Sequence, residues 1–195
     1  MPVATWTPID WESAWAPYDE ATYADVLALI QPDDVVLDLG AGDLRLARRL
    51  ASRCRQVIAL ERQAAVLAQG DLATLPANLT AICADARTWP WPQGLTVAVL
   101  LMRHCTQWAA YAERLRGLGC FRLITNARWR LGVEAIDLRA GAPWHAFGGG
   151  WYACRCGAVG FKWLPAAAAV PTETQEVLAC PLCQSLTHNI IRIPS

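Results

Sequence analysis

The sequence predicts an α/β fold, in which a doubly wound, mostly parallel sheet is followed by a small C-terminal unit. Short apolar runs alternate with helix-forming stretches between residues 19 and 140, the order expected of a parallel sheet covered on both faces. The first apolar run ends in a glycine turn, and four closely spaced cysteines follow residue 150. With 195 residues, 54% of them hydrophobic, the chain can build one such domain and a small extension.

Each element is predicted from a local pattern. A helix over 19–30 ends at Pro32, and the first strand, 34–39, is largely apolar. Prolines alternate with tryptophans at 89–92, which excludes a regular helix there and predicts a loop. The remaining predicted strands are 56–61, 79–84, 95–102, 120–126 and 132–138, and the remaining helices are 43–53, 63–75 and 106–117.

The first strand and the turn after it carry the most informative motif. Asp38 lies near the end of the strand, and Gly40 and Gly42 follow it in a turn that lets the backbone approach a ligand closely. The second strand ends at Glu61, from where a carboxylate can accept hydrogen bonds from both hydroxyls of a ribose. This βαβ unit predicts an adenosine-containing cofactor, and a structural turn that binds no ligand is the alternative.

The residues around these glycines bear on which cofactor is bound. A nicotinamide or flavin fingerprint requires a small residue where this chain has Arg45. The segment resembles motif I of the class I, Rossmann-like S-adenosylmethionine (SAM) methyltransferases, with Leu44 in place of their usual third glycine. Residues 83–86 resemble the family's adenine-facing segment, and residues 97–102 its fourth strand. The resemblance implies SAM as the cofactor, bound by Asp38, Gly40, Gly42, Glu61, Asp85, Ala86 and Met102.

The residues that follow the fourth strand are the candidates for catalysis. Ligands of open α/β sheets bind beyond the carboxyl ends of the strands, and the resemblance implies that the methyl acceptor meets SAM there. His104 can accept a proton from an oxygen or nitrogen acceptor, and Arg103 can hold an anionic group. The alternative is that both residues are structural, either capping the next helix or packing beneath the tryptophan-rich loop.

The eight cysteines include four with the spacing of a zinc ribbon. A C-x-C-G segment is followed by a C-P-x-C segment, and two such tight turns can supply the four soft ligands that zinc prefers. Because the protein would fill all four positions, the expected zinc is structural. Two disulfides are the alternative, which a cytoplasmic location disfavours. The predicted ligands are Cys154, Cys156, Cys180 and Cys183.

Charge is distributed unevenly although the formal net charge is zero. Residues 1–43 hold nine carboxylates and no lysine or arginine, whereas residues 100–162 hold nine lysines or arginines and three carboxylates. A local basic excess favours an anionic acceptor, such as RNA or a molecule that bears phosphate or carboxylate. Arg128 and Arg130, after the fifth strand, are candidates for phosphate contacts. Ordinary surface arginines, solvated at the rim, are the alternative.

Together these patterns predict three regions and one function. Residues 1–18 form a tryptophan-rich arm, residues 19–140 a SAM-binding methyltransferase domain, and residues 141–195 a zinc-ribbon extension. We expect methyl transfer from SAM to an acceptor that is RNA, protein or a small molecule. A catalytically silent, methyltransferase-like adaptor that binds nucleic acid or protein is the alternative. No apolar run approaches the roughly 20 residues of a membrane span, and the N-terminus lacks a signal-peptide pattern, so a cytoplasmic location is expected.

Overall fold

The computed structural model describes residues 16–128, 132–163 and 174–183, and it contains two sheets. The larger sheet has six strands, and the smaller, C-terminal sheet has three. The strands are β1 (Val35–Leu39), β2 (Gln56–Glu61), β3 (Leu79–Cys83), β4 (Val97–Leu100), β5 (Arg122–Thr125), β6 (Glu134–Asp137), β7 (Gly150–Cys154), β8 (Val159–Lys162) and β9 (Gln175–Val177). The helices are α1 (Glu20–Ala28), α2 (Arg45–Ala51), α3 (Ala64–Leu67) and α4 (Trp108–Gly117).

The large sheet has the doubly wound topology that the sequence predicts. Its strand order is β3-β2-β1-β4-β5-β6, and every neighbouring pair is parallel except β5 and β6. The chain runs outward from β1 in one direction as far as β3 and then returns to β4 on the other side of β1. This reversal leaves a crevice beyond the carboxyl ends of β1 and β4, where ligands of such sheets bind.

Two apolar layers cover the faces of the sheet. Successive side chains of a strand point to opposite faces, so Val36 packs towards α1 and α2, whereas Leu37 packs towards α4. All five residues of β1 are buried, as expected for a central parallel strand covered on both sides. The core therefore fixes β1, and with it the turn that follows.

One predicted helix is largely wrong. The segment 63–75 forms the short helix α3 and then two 3₁₀ turns, Ala68–Gly70 and Leu72–Thr74. The guanidinium of Arg48 donates hydrogen bonds to the carbonyl oxygens of Gly70, Asp71 and Thr74, which stabilise this irregular path. A side chain on Gly70 would also approach the backbone oxygen of Asp43 to 2.7 Å, so the backbone passes close beneath the turn after β1.

The C-terminal extension forms its own small sheet and core. Strands β7 and β8 make an antiparallel hairpin, and β9 pairs in parallel with β7. Trp144, Phe147 and Tyr152 pack their rings together beneath this sheet, with centroids between 4.9 and 6.0 Å apart. No helix in the described parts of the chain is long and apolar enough to cross a membrane.

Candidate cofactor pocket and four-cysteine cluster

A cavity of about 610 Å³ lies beyond the carboxyl ends of β1, β2 and β4, at the point where the strand order reverses. The turn after β1 forms part of its wall, and the segments after β2, β3 and β4 form further parts. Of the residues predicted to bind cofactor or acceptor, its lining includes Asp38, Gly40, Glu61, Asp85, Ala86, Met102, Arg103 and His104. Of the predicted cofactor-binding residues, Gly42 alone is not part of that lining.

The glycine turn brings backbone close to the cavity. The N–H groups of Gly40 and Ala41 both donate to the carbonyl oxygen of Leu60, at 2.9 Å, which fixes the turn against β2. Gly40 has a φ of 75°, and an added Cβ would lie 3.1 Å from Cε of Met102. A larger residue would therefore be strained and would crowd the cavity. This explains why the motif has glycine at position 40.

Gly42 acts through a neighbouring carboxylate. Its N–H donates to Oε2 of Glu61 at 3.0 Å, and the N–H of Gln63 donates to Oε1 of the same carboxylate at 2.8 Å. Glu61 is buried, with 5% of its surface exposed, and it lines the cavity. Each carboxylate oxygen can accept a second hydrogen bond. The two N–H groups therefore orient Glu61 while leaving it able to bind hydroxyl groups.

Asp38 is the least satisfied polar group of the pocket. It is 2% exposed, and its Oδ2 atom has no hydrogen-bond partner among the residues that the structure describes. Burial, reinforced by the negative charge of Glu61, raises the pKa of Asp38 to about 7. A buried carboxylate oxygen without a hydrogen-bond partner is costly, and a ligand that brings a cation or donor to it would reduce that cost.

The wall contributed by the segment after β3 is held by arginines. Arg87 donates to Asp85 from its backbone and its side chain, and the guanidinium lowers the pKa of Asp85 to about 2. Arg114 donates to the carbonyl oxygen of Ala86 at 2.8 Å and lies 4.0 Å above the ring of Trp91. These contacts stabilise the segment after β3, which has little regular secondary structure.

Arg103 and His104, which follow β4, form part of the rim of the cavity, and both are exposed. The backbone N–H of Arg103 donates to the hydroxyl of Tyr18 at 2.9 Å, and the guanidinium lies 5.5 Å from the centre of the Tyr18 ring. His104 has a φ of 71°, in the left-handed region that few side chains occupy. The structure thus places both candidate residues at the exposed edge of the cavity.

Several residues that line the cavity were not predicted from the sequence. Tyr18, Asp19 and Tyr23, at the start of α1, line one side, and Tyr111 of α4 lines another. The N–H of Tyr18 donates to the hydroxyl of Tyr23 at 3.0 Å. The predicted arm over residues 1–18 lies outside the described residues except for 16–18, which line the cavity. The cluster of aromatic residues before the first helix was the available signal.

Residues 36–120 match a protein family described as a methyltransferase domain. The matched segment begins in β1 and ends just before β5, so it contains the glycine turn, the carboxylate after β2 and the segments after β3 and β4. Residues 36–120 of this chain are thus similar to a methyltransferase domain. This agrees with the resemblance that the motifs carry and with the predicted doubly wound sheet.

The chain is also similar to solved structures. One is precorrin 8w decarboxylase from Methanobacterium thermoautotrophicum, with 22% identity over 58% of this chain and 65% of that chain, and a TM-score of 0.44. Another is a SAM-dependent methyltransferase from Geobacter sulfurreducens in complex with S-adenosyl-L-homocysteine. It has 19% identity over 59% of this chain and 52% of that chain, and a TM-score of 0.47. This chain spans less than two thirds of either. A search of curated proteins found no significant match.

The four predicted cysteine ligands come together in the extension. Their Sγ atoms all lie within 4.8 Å of one another, with 3.9 Å between Cys154 and Cys183 and 3.7 Å between Cys156 and Cys180. Disulfide sulfurs are about 2.05 Å apart, so the predicted alternative of two disulfides is not what the structure shows. Four sulfurs around one zinc ion at about 2.3 Å are about 3.8 Å from each other. The cluster therefore has the donors and spacing for a soft tetrahedral ion.

Local backbone contacts shape both cysteine turns. The N–H of Cys180 donates to Sγ of Cys183 at 3.1 Å, and the N–H of Gly157 donates to the carbonyl oxygen of Cys154 at 2.9 Å. Gly157 has a φ of 95°, and an added Cβ would lie 3.2 Å from Cβ of Ala109. The first cysteine turn is thus packed against the first turn of α4.

Arg128 is a structural residue, contrary to both interpretations considered from sequence. Its side chain is 3% exposed and forms ion pairs of 2.6 Å with Glu134 and with Glu176. The guanidinium also lies 5.6 Å from the ring of Trp108 at the start of α4. Arg128 therefore joins β6, β9 and α4, and neither contacts solvent as a rim residue nor presents its charge to a phosphate. Arg130 lies outside the described residues.

Proposed function

We propose that the protein transfers the methyl group of SAM to an acceptor held at the rim formed by Arg103 and His104. The observation that carries the proposal is the pocket itself. Within a matched methyltransferase domain, it combines a glycine turn with two buried carboxylates and an unpartnered carboxylate oxygen on Asp38. SAM supplies an electrophilic methyl group on a sulfonium centre, so the chain mainly has to position donor and acceptor.

The residues of the pocket fit the groups that SAM carries. Asp38 is suited to its ammonium group, because ionisation of the buried carboxylate is favoured by a nearby cation. Glu61 is suited to the ribose hydroxyls, since two backbone N–H groups already orient its carboxylate. The segment that contains Asp85 and Ala86 would face the adenine, as the family resemblance implies. Met102 lines the cavity beside Gly40, where an added Cβ would lie 3.1 Å from its Cε atom.

Arg103 and His104 have separate roles towards the acceptor in this proposal. His104 accepts the proton that an oxygen or nitrogen nucleophile loses, and Arg103 holds a negatively charged part of the acceptor. Their exposure at the cavity rim supports this assignment, because the acceptor has to arrive from solvent. The acceptor is RNA, a protein or a small molecule, and an anionic acceptor fits the guanidinium best.

The four-cysteine cluster holds a structural zinc ion. The sulfur spacing of 3.7–3.9 Å across two pairs supports zinc, and four protein donors leave no coordination position for a substrate. Burial raises the pKa of Cys154, and a bound cation would stabilise its thiolate. The metal thus organises the extension rather than taking part in methyl transfer.

Calorimetry with SAM tests the proposed cofactor. Glu61→Ala should weaken SAM binding by about 1–3 kcal/mol, since it removes charge-assisted hydrogen bonds. Glu20→Ala is a matched control, because Glu20 is an exposed carboxylate that pairs with Arg49 outside the pocket. Undiminished SAM affinity in the Glu61 variant would contradict the pocket assignment, and tight binding of NAD without SAM would indicate an oxidoreductase.

Labelled SAM tests the proposed reaction. Protein incubated with labelled SAM should transfer the label to one of the RNA, protein or small-molecule fractions of a cell extract. Transfer should be lost in the Glu61→Ala variant and retained in the Glu20→Ala control. SAM binding without transfer to any fraction would instead favour the catalytically silent adaptor.

A further inference from the structure

The two rim residues after β4 lie at the centre of a tight turn. The N–H of Cys105 donates to the carbonyl oxygen of Met102 at 2.9 Å, which closes a four-residue turn with Arg103 and His104 in the middle. His104 is the third residue and has a φ of 71°, as in a type II turn, where this position favours glycine or asparagine. A histidine in this conformation is strained, and it persists only where surrounding contacts determine it. The contacts that hold the turn therefore decide where both rim side chains lie.

Tyr18 reaches this turn from the segment before α1, 85 residues earlier in the chain. Its hydroxyl accepts a hydrogen bond from the backbone N–H of Arg103 at 2.9 Å, and its ring lies 5.5 Å from the guanidinium of the same residue. Within the described ranges, that guanidinium has no ion pair and no hydrogen bond, so it stays available to an anion. One tyrosine side chain thus contacts both the backbone and the charged group of the rim.

Tyr18 is itself anchored by the start of α1. Asp19 is the N-cap of this helix, and its carboxylate accepts from the N–H of Thr22 at 2.8 Å. Tyr18 precedes the cap and Tyr23 is the fourth residue after it, the two positions that pack together in a hydrophobic staple and fix how the chain enters a helix. The N–H of Tyr18 donates to the hydroxyl of Tyr23 at 3.0 Å, and Tyr23 is buried in the core layer against which Tyr18 also packs. The core therefore determines the position of Tyr18.

We propose that Tyr18 is a positioning residue for methyl transfer, which holds the turn so that Arg103 and His104 meet the acceptor; this rests on the proposed function. The hydroxyl of Tyr18 acts on the backbone of the turn, whereas the carboxylates proposed to bind SAM, Asp38 and Glu61, lie at the ends of β1 and β2. Loss of the hydroxyl should therefore displace the rim and leave the SAM contacts in place. A displacement of about 1 Å can lower a rate by about 100-fold, because catalysis depends on the geometry of approach.

Kinetics of a Tyr18→Phe variant test this role, because the change removes the hydroxyl and keeps the ring. The assay follows label from SAM into the cell-extract fraction that the native protein methylates. At saturating SAM the rate should fall by about 5- to 100-fold, while calorimetry shows unchanged SAM affinity. Tyr152→Phe is the matched control and should keep the native rate, since Tyr152 lies on β7 of the extension and not in the cavity wall.

Nuclear magnetic resonance of the full chain gives a second readout that needs no acceptor. In Tyr18→Phe the backbone amide of Arg103 should exchange its hydrogen faster, and the imidazole resonances of His104 should shift. The chain has 3 histidines, so His104→Asn assigns those resonances. The amide of Gly40, which donates to the carbonyl oxygen of Leu60, should exchange as in the native chain. A general loss of stability would instead accelerate the exchange of both amides.

Several outcomes would overturn the positioning role of Tyr18. A full transfer rate in Tyr18→Phe, or unchanged exchange of the Arg103 amide, would show that the hydroxyl does not hold the turn. A loss of SAM affinity as large as the loss of rate would show that the hydroxyl serves the cofactor instead. Failure of the proposed function is seen separately, in the native chain: protein that binds no SAM, or that transfers no label, overturns that function before any variant is compared.

Discussion

Asp38 and Glu61 are two buried carboxylates at the ends of the adjacent strands β1 and β2, and burial, together with the charge of Glu61, raises the pKa of Asp38 to about 7. They differ in their hydrogen bonds. Glu61 accepts from two backbone N–H groups, whereas Oδ2 of Asp38 has no partner among the described residues. The pocket therefore concentrates negative charge that a cationic ligand would relieve, at a cost to the ligand-free protein.

The stability of the ligand-free protein should reveal this cost. The pKa of Asp38 is about 7 in the folded protein, compared with its ordinary value of 3.8. Between these two pH values the folded state therefore binds more protons than the unfolded state. The free energy of unfolding should therefore fall as the pH rises from about 4 towards 7. Asp38→Asn should remove this part of the pH dependence, so the variant gains stability relative to the native chain at higher pH.

Thermal melts of both proteins between about pH 5 and 8 check this expectation. Asp33→Asn is the control, since Asp33 is an exposed carboxylate just before β1. A constant difference in melting temperature between Asp38→Asn and the native chain over the whole range would show that Asp38 does not titrate there.

Leu44 provides a test of how this turn tolerates the absence of the usual glycine. Leu44 has a φ of 64° and is fully buried, so it combines backbone strain with good packing. Leu44→Ala keeps the strain and loses packing, and should destabilise the protein by about 2–5 kcal/mol. Leu44→Gly relieves strain of about 1–2 kcal/mol and should be at least as stable as Leu44→Ala.

Chemical denaturation of the two Leu44 variants measures this order. In the interior of a helix, glycine normally makes a protein less stable than alanine does, by about 0.5–1 kcal/mol. Gly117→Ala in α4, where an added Cβ meets nothing within 4 Å, gives the ordinary order for comparison. If Leu44→Gly proves clearly less stable than Leu44→Ala, the left-handed conformation is not strained enough to matter.

The sequence was most informative where burial alone determines structure. Strand β2 was predicted at its observed bounds, because an unbroken apolar run ending in a carboxylate fits a central parallel strand. The segment after α3 was predicted as helix, but the hydrogen bonds from Arg48 that redirect it join residues 22 and 26 positions apart. Likewise, the role of Arg128 depends on Glu176, which no local pattern links to it.

The same contrast holds within the pocket. Asp38, Gly40 and Glu61 were predictable because they occupy fixed offsets from strand ends, and the sheet brings strand ends together. Tyr18 and Tyr111 reach the cavity from helices or their flanks, and their positions depend on how those elements pack on the sheet. The cysteine cluster was predictable because its two short motifs each specify a local turn.

Removal of one cysteine ligand should loosen the extension while the large sheet stays folded. Cys156→Ser should reduce the zinc content from about one ion per chain to none, since three thiolates and a hydroxyl make a poor zinc site. Hydrogen exchange should then accelerate in β7–β9, while β1, β2 and β4 stay protected, because their core consists of residues outside the extension.

Elemental analysis and hydrogen exchange on the same sample test this expectation. Cys83→Ser is the control, as Cys83 is an exposed thiol outside the cluster, and it should retain the metal. Native protein that contains no zinc after preparation without chelators, or a Cys156→Ser variant that retains it, would show that the four cysteines do not form the proposed site.

The division of roles between Arg103 and His104 can be tested with variants that respect the backbone. His104 has a φ of 71°, and asparagine tolerates this conformation better than alanine does. His104→Asn should therefore fold normally while lacking a group that can take the acceptor's proton. Its transfer rate should fall by about 10²- to 10⁴-fold with little change in SAM affinity. Arg103→Ala should mainly raise the acceptor concentration required for half-maximal rate, because it removes a contact to the anion.

The kinetic pattern distinguishes these roles from a structural one. If the two residues merely supported the loop, both changes would lower the melting temperature and leave the remaining folded enzyme at full rate. His145→Ala is the control for loss of an exposed histidine, because His145 lies in the extension and not in the cavity wall. A full transfer rate in His104→Asn would remove the base from the mechanism. Catalysis would then depend on the positioning of SAM and acceptor, since a nucleophile that needs no deprotonation can attack the sulfonium methyl directly.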